Sequence, residues 1–286
     1  MNRNVIIASD STSDLSPELI ERHRIRILPL TVNLADRQYT DGVDISPEDI
    51  YRHYEEKREL PKTAAPNLGA FETFFEELTR DGSEVVFFTI SAAMSSTNSN
   101  ARLAAEGFPG VHIVDTKNLS TGGGLLVLRA VDLREQGRSA AEIAEICSSL
   151  TPLVDASFVI DNLEFLHKGG RCSAIAVFGA NLLQLKPCIV VKGGTMSVGK
   201  KYRGKFSLTL SQYVKDRLGD GSDIELDRVF VTHAGCDESI VDAVVKQVSA
   251  ACPFREVFVT RAGCTVSSHC GRNTLGVLFI RKRAIE

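Results

Sequence analysis

Serine, histidine and acidic side chains in this sequence could form a hydrolytic group. Ser95 follows a predicted strand and opens a predicted helix, as the serine of a hydrolase does, and His269 would act as its base. Asp10 or Asp115 would supply the acid. However, residues 93–97 (AMSST) lack the glycines that flank a nucleophile elbow two residues either side of its serine. A serine-dependent hydrolase or phosphotransferase acting on a small acyl substrate is therefore the second hypothesis.

Hydroxyl side chains gather directly after several predicted strands, which favours ligand binding. They are Ser11, Thr12, Ser13, Thr63, Ser91, Ser95, Ser96, Thr97, Thr116, Ser120 and Thr121. Ligands of open α/β sheets bind outside the carboxyl ends of the strands, so we expect these turns to line one crevice. Taken singly, each hydroxyl is better explained as a helix cap or a turn residue.

Three further side chains have both a functional and a structural interpretation. Arg171 follows a glycine pair and could present its donors to a carboxylate or phosphate, or could simply be solvated. His269 could donate to an anion or fill a core position. Cys270 next to it suggests a thiolate nucleophile, but neighbours in an extended segment point apart. The seven cysteines include no C-x-x-C pair, so reduced thiols in the core are expected and no metal site is predicted.

Nucleotides and nucleic acids are poor candidates for partners. The sequence has no Walker A loop, and Gly122-Gly123-Gly124 lacks the dinucleotide-binding fingerprint, so close packing of a helix on a strand explains these glycines better. A net charge of −3 gives no basic field for a nucleic-acid backbone.

A strand, turn, helix rhythm predicts the elements that position these residues. Residues 1–160 are predicted to form an N-terminal α/β domain with a mainly parallel, Rossmann-like sheet and helices on both faces. Residues 161–286 are predicted to form a C-terminal α/β domain with a mixed sheet. Ile27–Asn33 is expected to be one strand, 174–185 a helix, and Ser239–Ala250 the one helix among the last strands.

Membrane insertion is not expected from this sequence. No segment reaches about 18 uninterrupted apolar residues, and the first residues run directly into Val5-Ile6-Ile7-Ala8, which is too short for a signal-peptide core. We therefore expect a cytoplasmic protein without stable membrane insertion.

Four segments, in their order along the chain, resemble the DegV family, the fatty-acid-binding proteins that serve bacterial fatty acid kinase. The resemblance covers essentially the whole chain. The segments are residues 9–15 (SDSTSDL), 39–46 (YTDGVDIS), 163–171 (LEFLHKGGR) and 185–187 (LKP). Few other families share the third string.

The resemblance implies a long-chain fatty acid held between two domains, with its tail in an apolar tunnel. Thr63 and Ser95 match the residues that grip the carboxylate, Ser96 lies in the same motif, and Arg171 and His269 would complete the polar network. The family has no cofactor and no catalysis of its own. Its partner is a dihydroxyacetone-kinase-like fatty acid kinase subunit, for which Arg203 resembles the docking arginine. A regulatory protein that binds another amphiphile is a third hypothesis.

Three segments depart from the family pattern. Ser96 replaces a glycine, residues 63–66 (TAAP) replace T-S-Q-P, and residues 269–273 (HCGRN) replace H-x-G-P-G. Serine adopts positive φ less readily than glycine, so we expect Ser96 to hinder close backbone approach to a carboxylate. Asn273 is expected to take the left-handed conformation, and Arg272 adds a charge near His269.

Overall fold

The computed structural model describes residues 4–172 and 185–284, which form three β-sheets and the helices that cover them. The helices are α1 (Pro17–His23), α2 (Pro47–Lys57), α3 (Leu68–Thr79), α4 (Thr97–Ala105), α5 (Thr121–Glu135), α6 (Ala140–Leu150), α7 (Glu164–Gly169), α8 (Phe206–Leu218), α9 (Glu238–Ala251) and α10 (Cys264–Cys270). The predicted helix at 174–185 lies outside the described residues, apart from Leu185.

The first sheet is parallel throughout, as the strand, turn, helix rhythm predicts. Its order is β2-β1-β6-β7, formed by β2 (Arg26–Leu28), β1 (Val5–Asp10), β6 (Glu84–Thr89) and β7 (Val111–Asp115). Helices α3 and α4 pack on one face, and α5 and α6 on the other. The prediction of helices on both faces is thus confirmed.

The prediction of a single strand over Ile27–Asn33 is wrong. β2 ends at Leu28, and the chain then enters a separate antiparallel sheet of order β4-β3-β5, formed by β4 (Arg37–Thr40), β3 (Thr31–Leu34) and β5 (Lys62–Ala64). Pro29 lies at the break, and its missing N–H cannot continue a ladder of hydrogen bonds.

The third sheet is mixed, as predicted for the second half of the chain. Its order is β10-β9-β8-β13-β11-β12, formed by β10 (Thr195–Arg203), β9 (Leu185–Lys192), β8 (Val154–Ile160), β13 (Thr274–Arg281), β11 (Ile224–Ala234) and β12 (Glu256–Arg261). Because β8 pairs with β13 and β9, we propose that the division between the two α/β units falls before Val154 rather than after Ile160.

Helix α5 lies between the first and third sheets and is buried around nearly its whole circumference. Its apolar residues share one core with Val86 and Phe88 of the first sheet and with Phe230 and Leu278 of the third. A helix that is apolar on all sides is suited to such a buried position. A Cβ at Gly124 would come within 2.9 Å of the Ser13 carbonyl oxygen, so this glycine permits close packing, as the sequence analysis favoured.

Two helices in the second half, α8 and α10, were not predicted. α8 covers the outer face of the third sheet together with α9, where Leu210, Tyr213 and Val244 enter its core. α10 contains His269 and Cys270, so the expectation of an extended segment there is wrong. The β-branched, serine and cysteine residues of α10 have low helix propensity, and nearly all are buried, which leaves no amphipathic pattern to detect.

Candidate functional site

A cavity of about 370 Å³ lies between the third sheet and the loops that follow the strands of the other two. Its volume falls within the range of small-molecule sites. Most of the lining is apolar and comes from Leu30, Ala64, Ala65, Ile90, Met94, Leu119, Ala156, Phe158, Leu166, Val191, Met196, Ala234, Ala262, Val266, Cys270, Gly276 and Leu278. Polar lining side chains include Thr63, Ser95, Ser96, Ser120, Arg171, Thr232, His233, Thr265, His269 and Thr274.

The apolar wall is formed by one face of the third sheet. Ala156 and Phe158 of β8 face the cavity, while Ser157 between them is hydrogen-bonded to Tyr213 on the opposite face. Gly276 of β13 pairs with Phe158, and a Cβ there would lie 2.6 Å from the Ser157 carbonyl oxygen. Small residues at the centre of this sheet thus leave room for a ligand. These residues were not predicted from the sequence, although the alternation of side-chain directions along β8 could have indicated them.

The part of the cavity wall formed by Thr63 and His269, called here the polar end, joins elements distant in sequence. The Oγ1 atom of Thr63, on β5, lies 2.9 Å from Nε2 of His269 on α10. Thr63 is held by pairing with Val32 of β3, and α10 packs against both β3 and β5. The structure therefore brings together two of the predicted site residues across 206 positions.

His269 is enclosed on its other side by the end of α7. A Cβ at Gly169 would lie 2.4 Å from His269 Nδ1, so a side chain at position 169 would displace the imidazole. Burial lowers the pKa of His269 to about 4, and the positive charge of Arg171 contributes in the same direction. The ring is therefore neutral near pH 7, and its buried Nδ1 has no hydrogen-bond partner among the described residues.

Ser95 and Ser96 line the same cavity at the start of α4. Ser95 Oγ accepts from the Thr97 N–H at 3.2 Å and lies 2.8 Å from Thr97 Oγ1. Asn100 donates from its amide to the Pro66 carbonyl oxygen at 2.9 Å, which fixes α4 to the loop after Thr63. Ser96 has φ −73°, outside the positive-φ region that favours glycine. The expected conformational cost of serine at this position therefore does not arise.

The two predicted arginines occupy different places. Arg171 lines the cavity, is exposed, and donates from Nη1 to the Gly169 carbonyl oxygen at 2.7 Å. Arg203 is exposed at the end of β10 and is not part of the cavity lining. The structure thus places Thr63, Ser95, Ser96, Arg171 and His269 around one cavity and Arg203 outside it.

The segment after His269 conforms to the expectation for Asn273. This residue has φ 57°, in the left-handed region that asparagine tolerates. Arg272 directs its charge away from the imidazole, because its guanidinium lies 4.7 Å from the centre of the Tyr51 ring and its Nε lies 3.5 Å from Glu55 Oε1.

The geometry does not form the catalytic group of the hydrolase hypothesis. Ser95 is hydrogen-bonded to Thr97, and His269 to Thr63. Asp10 accepts from the Ile90 N–H at 2.7 Å, and Asp115 accepts from the Ala92 and Lys117 N–H groups. Among the described residues, neither acid is positioned to orient the imidazole of His269.

The thiol of Cys270 is also unsuited to be a nucleophile. It donates to the Val266 carbonyl oxygen at 2.9 Å, and burial raises its pKa well above the usual range. A raised pKa reduces the thiolate fraction at neutral pH. All seven cysteines are buried free thiols, as predicted.

Only part of the predicted hydroxyl cluster converges on the cavity. Thr63, Ser95, Ser96 and Ser120 line it, whereas the other seven are absent from its lining, namely Ser11, Thr12, Ser13, Ser91, Thr97, Thr116 and Thr121. Several of these make hydrogen bonds elsewhere in the fold, such as those from Thr12 to Asp10 and from Ser91 Oγ to the Gly194 carbonyl oxygen. In residues 4–172 and 185–284, no three histidine, cysteine or acidic side chains are grouped to hold a metal ion. No helix in these ranges is both long enough and apolar enough to cross a membrane.

The buried imidazole predicts an unusual titration. We expect His269 to titrate near pH 4, whereas an exposed histidine titrates near 6.5. Its depressed pKa means that its contribution to stability is complete above pH 6.5 and is lost as the pH falls through 4. NMR titration of ring-labelled protein would measure this, with the His269→Gln variant used to assign the signal. A His269 midpoint near 6.5 would contradict the buried, neutral ring.

Comparison with known proteins identifies relatives along nearly the whole chain. The profile of a family described as "Uncharacterised protein, DegV family" matches residues 4–282. A DegV domain-containing protein of Staphylococcus aureus is 31% identical over 97% of this chain and 99% of its own length.

Solved structures show the same architecture. One of them is a fatty-acid-binding DegV family protein from Thermus thermophilus. It superposes with a TM-score of 0.88 at 31% identity, and the match covers 97% of this chain and 99% of that chain. A stearic-acid-binding protein from Eubacterium ventriosum has a TM-score of 0.84 at 26% identity, covering 96% and 98%. With a family match over nearly its whole length and a relative above 30% identity, this chain belongs to the DegV family.

Proposed function

We propose that this chain binds one long-chain fatty acid, with the carboxylate at Thr63 and Ser95 and the acyl chain along the wall of the third sheet. The observation that supports this most is the cavity itself, which is mostly apolar and includes the Thr63 hydroxyl hydrogen-bonded to a neutral histidine. The fatty acids bound by the relatives from Thermus thermophilus and Eubacterium ventriosum agree with it.

The acyl chain would provide most of the affinity. Removing a methylene from water contributes about 0.8 kcal/mol, so a chain of about 15 methylenes gains roughly 12 kcal/mol before the costs of binding. Phe158, Leu278 and Met196 offer the apolar surface that this requires.

The head group would be held by neutral donors. In the tautomer with its proton on Nε2, His269 donates to Thr63 Oγ1, and the Thr63 hydroxyl is then directed to donate to the carboxylate. When the Thr97 hydroxyl is the donor of its contact with Ser95 Oγ, the Ser95 hydroxyl is free to donate in the same way. The helix dipole at the start of α4 adds a favourable field for an anion.

This arrangement suits phosphorylation of the ligand's carboxylate by a separate kinase. Hydroxyl donors neutralise a carboxylate less than a paired guanidinium would, so one oxygen stays nucleophilic toward a phosphoryl group. We propose that the chain presents the fatty acid to a separate, dihydroxyacetone-kinase-like subunit in the cytoplasm and performs no phosphoryl transfer itself. Exposed basic residues around Arg203, namely Lys200 and Lys205, are suited to contact it.

The head-group assignment predicts a selective loss of affinity. Thr63→Val and Ser95→Ala should each weaken binding of palmitate by about 10- to 100-fold, because a hydrogen bond to a charged group contributes about 1.5–3 kcal/mol. Fluorescence displacement or calorimetry with delipidated protein would measure it.

Ser99→Ala is the matched control, because Ser99 lies on α4 shortly after Ser95, is exposed, is absent from the cavity lining, and donates to the Ser96 carbonyl oxygen. It should bind as the unaltered protein does. Equal affinity of the Thr63→Val, Ser95→Ala and Ser99→Ala proteins would rule out this position for the carboxylate. Ester turnover that depends on Ser95 would instead favour the hydrolase hypothesis.

The docking assignment predicts a separate phenotype for Arg203. Arg203→Ala should reduce acyl-phosphate formation by at least tenfold in the presence of a fatty acid kinase subunit and ATP, while palmitate affinity stays the same. Hydroxylamine trapping of the acyl phosphate gives the rate. Arg255→Ala, which removes another exposed arginine of the same half, serves as the control. Loss of both rate and affinity in Arg203→Ala would argue against a docking role.

A further inference from the structure

Two buried acidic side chains hold the start of α10, the helix that carries His269. Asp41 accepts from the Cys264 N–H at 2.8 Å through Oδ1 and from the Thr265 N–H at 3.2 Å through Oδ2. Asp14 accepts from the Gly263 N–H at 2.8 Å. The N-cap residue Gly263 has no side chain of its own to satisfy these amides. The start of α10 therefore depends on acids more than 220 residues away in sequence.

Both acids are almost completely buried, at 4% exposure for Asp41 and 6% for Asp14. Burying a carboxylate is costly, and a serine or asparagine could cap a helix with a neutral oxygen. Burial raises the pKa of Asp14 to about 8, although hydrogen bonds from Ser120 and Gly263 oppose the rise. Helix capping alone therefore does not explain why two acidic residues, rather than a neutral serine or asparagine, lie at the start of α10.

Asp41 also connects α10 to the sheet that carries Thr63. It directly follows β4, its N–H donates to the Leu30 carbonyl oxygen at 2.9 Å, and Ser11 Oγ donates to its Oδ2 at 2.9 Å. β4 pairs with β3, and β3 pairs with β5 at Thr63. On the other side, His269 lies five residues beyond Cys264, about 7.5 Å along the helix axis. One carboxylate thereby links both partners of the Thr63–His269 hydrogen bond.

We propose that Asp41 is a positioning residue for the fatty acid head group, which it affects through α10 and His269. The proposal rests on the proposed function. Asp41 and Asp14 are absent from the cavity lining, so Asp41 has no direct contact to offer a ligand there. Its removal lets the start of α10 shift, which moves His269 relative to Thr63 and weakens the hydroxyl donor.

The test compares two ligands with the same tail. Palmitate and hexadecanol are titrated into delipidated unaltered protein and into the Asp41→Asn and Asp41→Ala variants. Asp41→Asn should weaken palmitate binding by about 5- to 10-fold and hexadecanol binding by less than twofold, because only the carboxylate depends on the charged-group hydrogen bonds. Asp41→Ala should show a larger loss of the same kind. Asp44→Asn, an exposed acid in the same turn, should change neither affinity.

A double-mutant cycle distinguishes an effect of Asp41 through His269 from a nonspecific loss of binding. If Asp41 acts through His269, adding Asp41→Asn to His269→Gln should cost little further palmitate affinity, so the two fold-changes will not multiply. Multiplying fold-changes, or equal losses for palmitate and hexadecanol, would overturn the positioning role while leaving the proposed function intact. Failure of the unaltered protein to bind palmitate would instead refute the proposed function.

Hydrogen exchange keeps the inference testable if both Asp41 variants unfold. Palmitate should slow exchange of the Cys264 and Thr265 amides in the unaltered protein, because coupling between the head group and the Asp41 contacts is reciprocal. Exchange of these amides that is the same with and without palmitate would contradict the coupling.

Discussion

A hydrogen bond between a neutral imidazole and a threonine hydroxyl is the contact on which the polar end of the cavity depends. The Thr63–His269 pair joins the small antiparallel sheet to α10 in a largely apolar cavity, where a charged ring would be costly. Gly169 leaves the space that the ring occupies, and Asp41 fixes the helix that carries it. A neutral ring in this position lets a threonine act as donor without adding a positive charge beside the ligand.

The rest of the fold provides the space for the tail. α5 keeps the parallel sheet and the mixed sheet apart and packs against both, so the cavity forms beside it rather than being filled by direct contact of the sheets. The small residues Ala156 and Gly276 leave space for a ligand at the centre of the mixed sheet. Binding by shape and apolar contact, with few polar groups at one end, is typical of sites for lipids and other small amphiphiles.

Local patterns predicted much of this structure. The strand, turn, helix rhythm correctly predicted a parallel sheet with helices on both faces, because strand burial and helix periodicity are encoded in adjacent residues. The resemblance to the family predicted that Thr63, Ser95, Arg171 and His269 lie near one site, and all four line the same cavity. Their roles in binding are part of the proposed function.

The failures have a common physical cause, which is that tertiary contacts overrode local sequence. Pro29 divides one predicted strand between two sheets. Helix α10 forms from residues of low helix propensity, because distant aspartate side chains accept hydrogen bonds from the N–H groups at its start. Asp41 was recognised only as part of a motif, since nothing near it in sequence indicates a partner at position 264. The small residues of the cavity wall became informative only when β8 and β13 were seen to be neighbours.

The most direct measurement is the identity of the ligand that accompanies the protein. Gently purified protein would be denatured, extracted into organic solvent and examined by mass spectrometry, with the Ser95→Ala variant extracted in parallel. The account predicts a long-chain fatty acid approaching one molecule per chain in the unaltered protein and a much smaller amount in the variant. An extract without lipid, from protein that also fails to take up added palmitate, would contradict it.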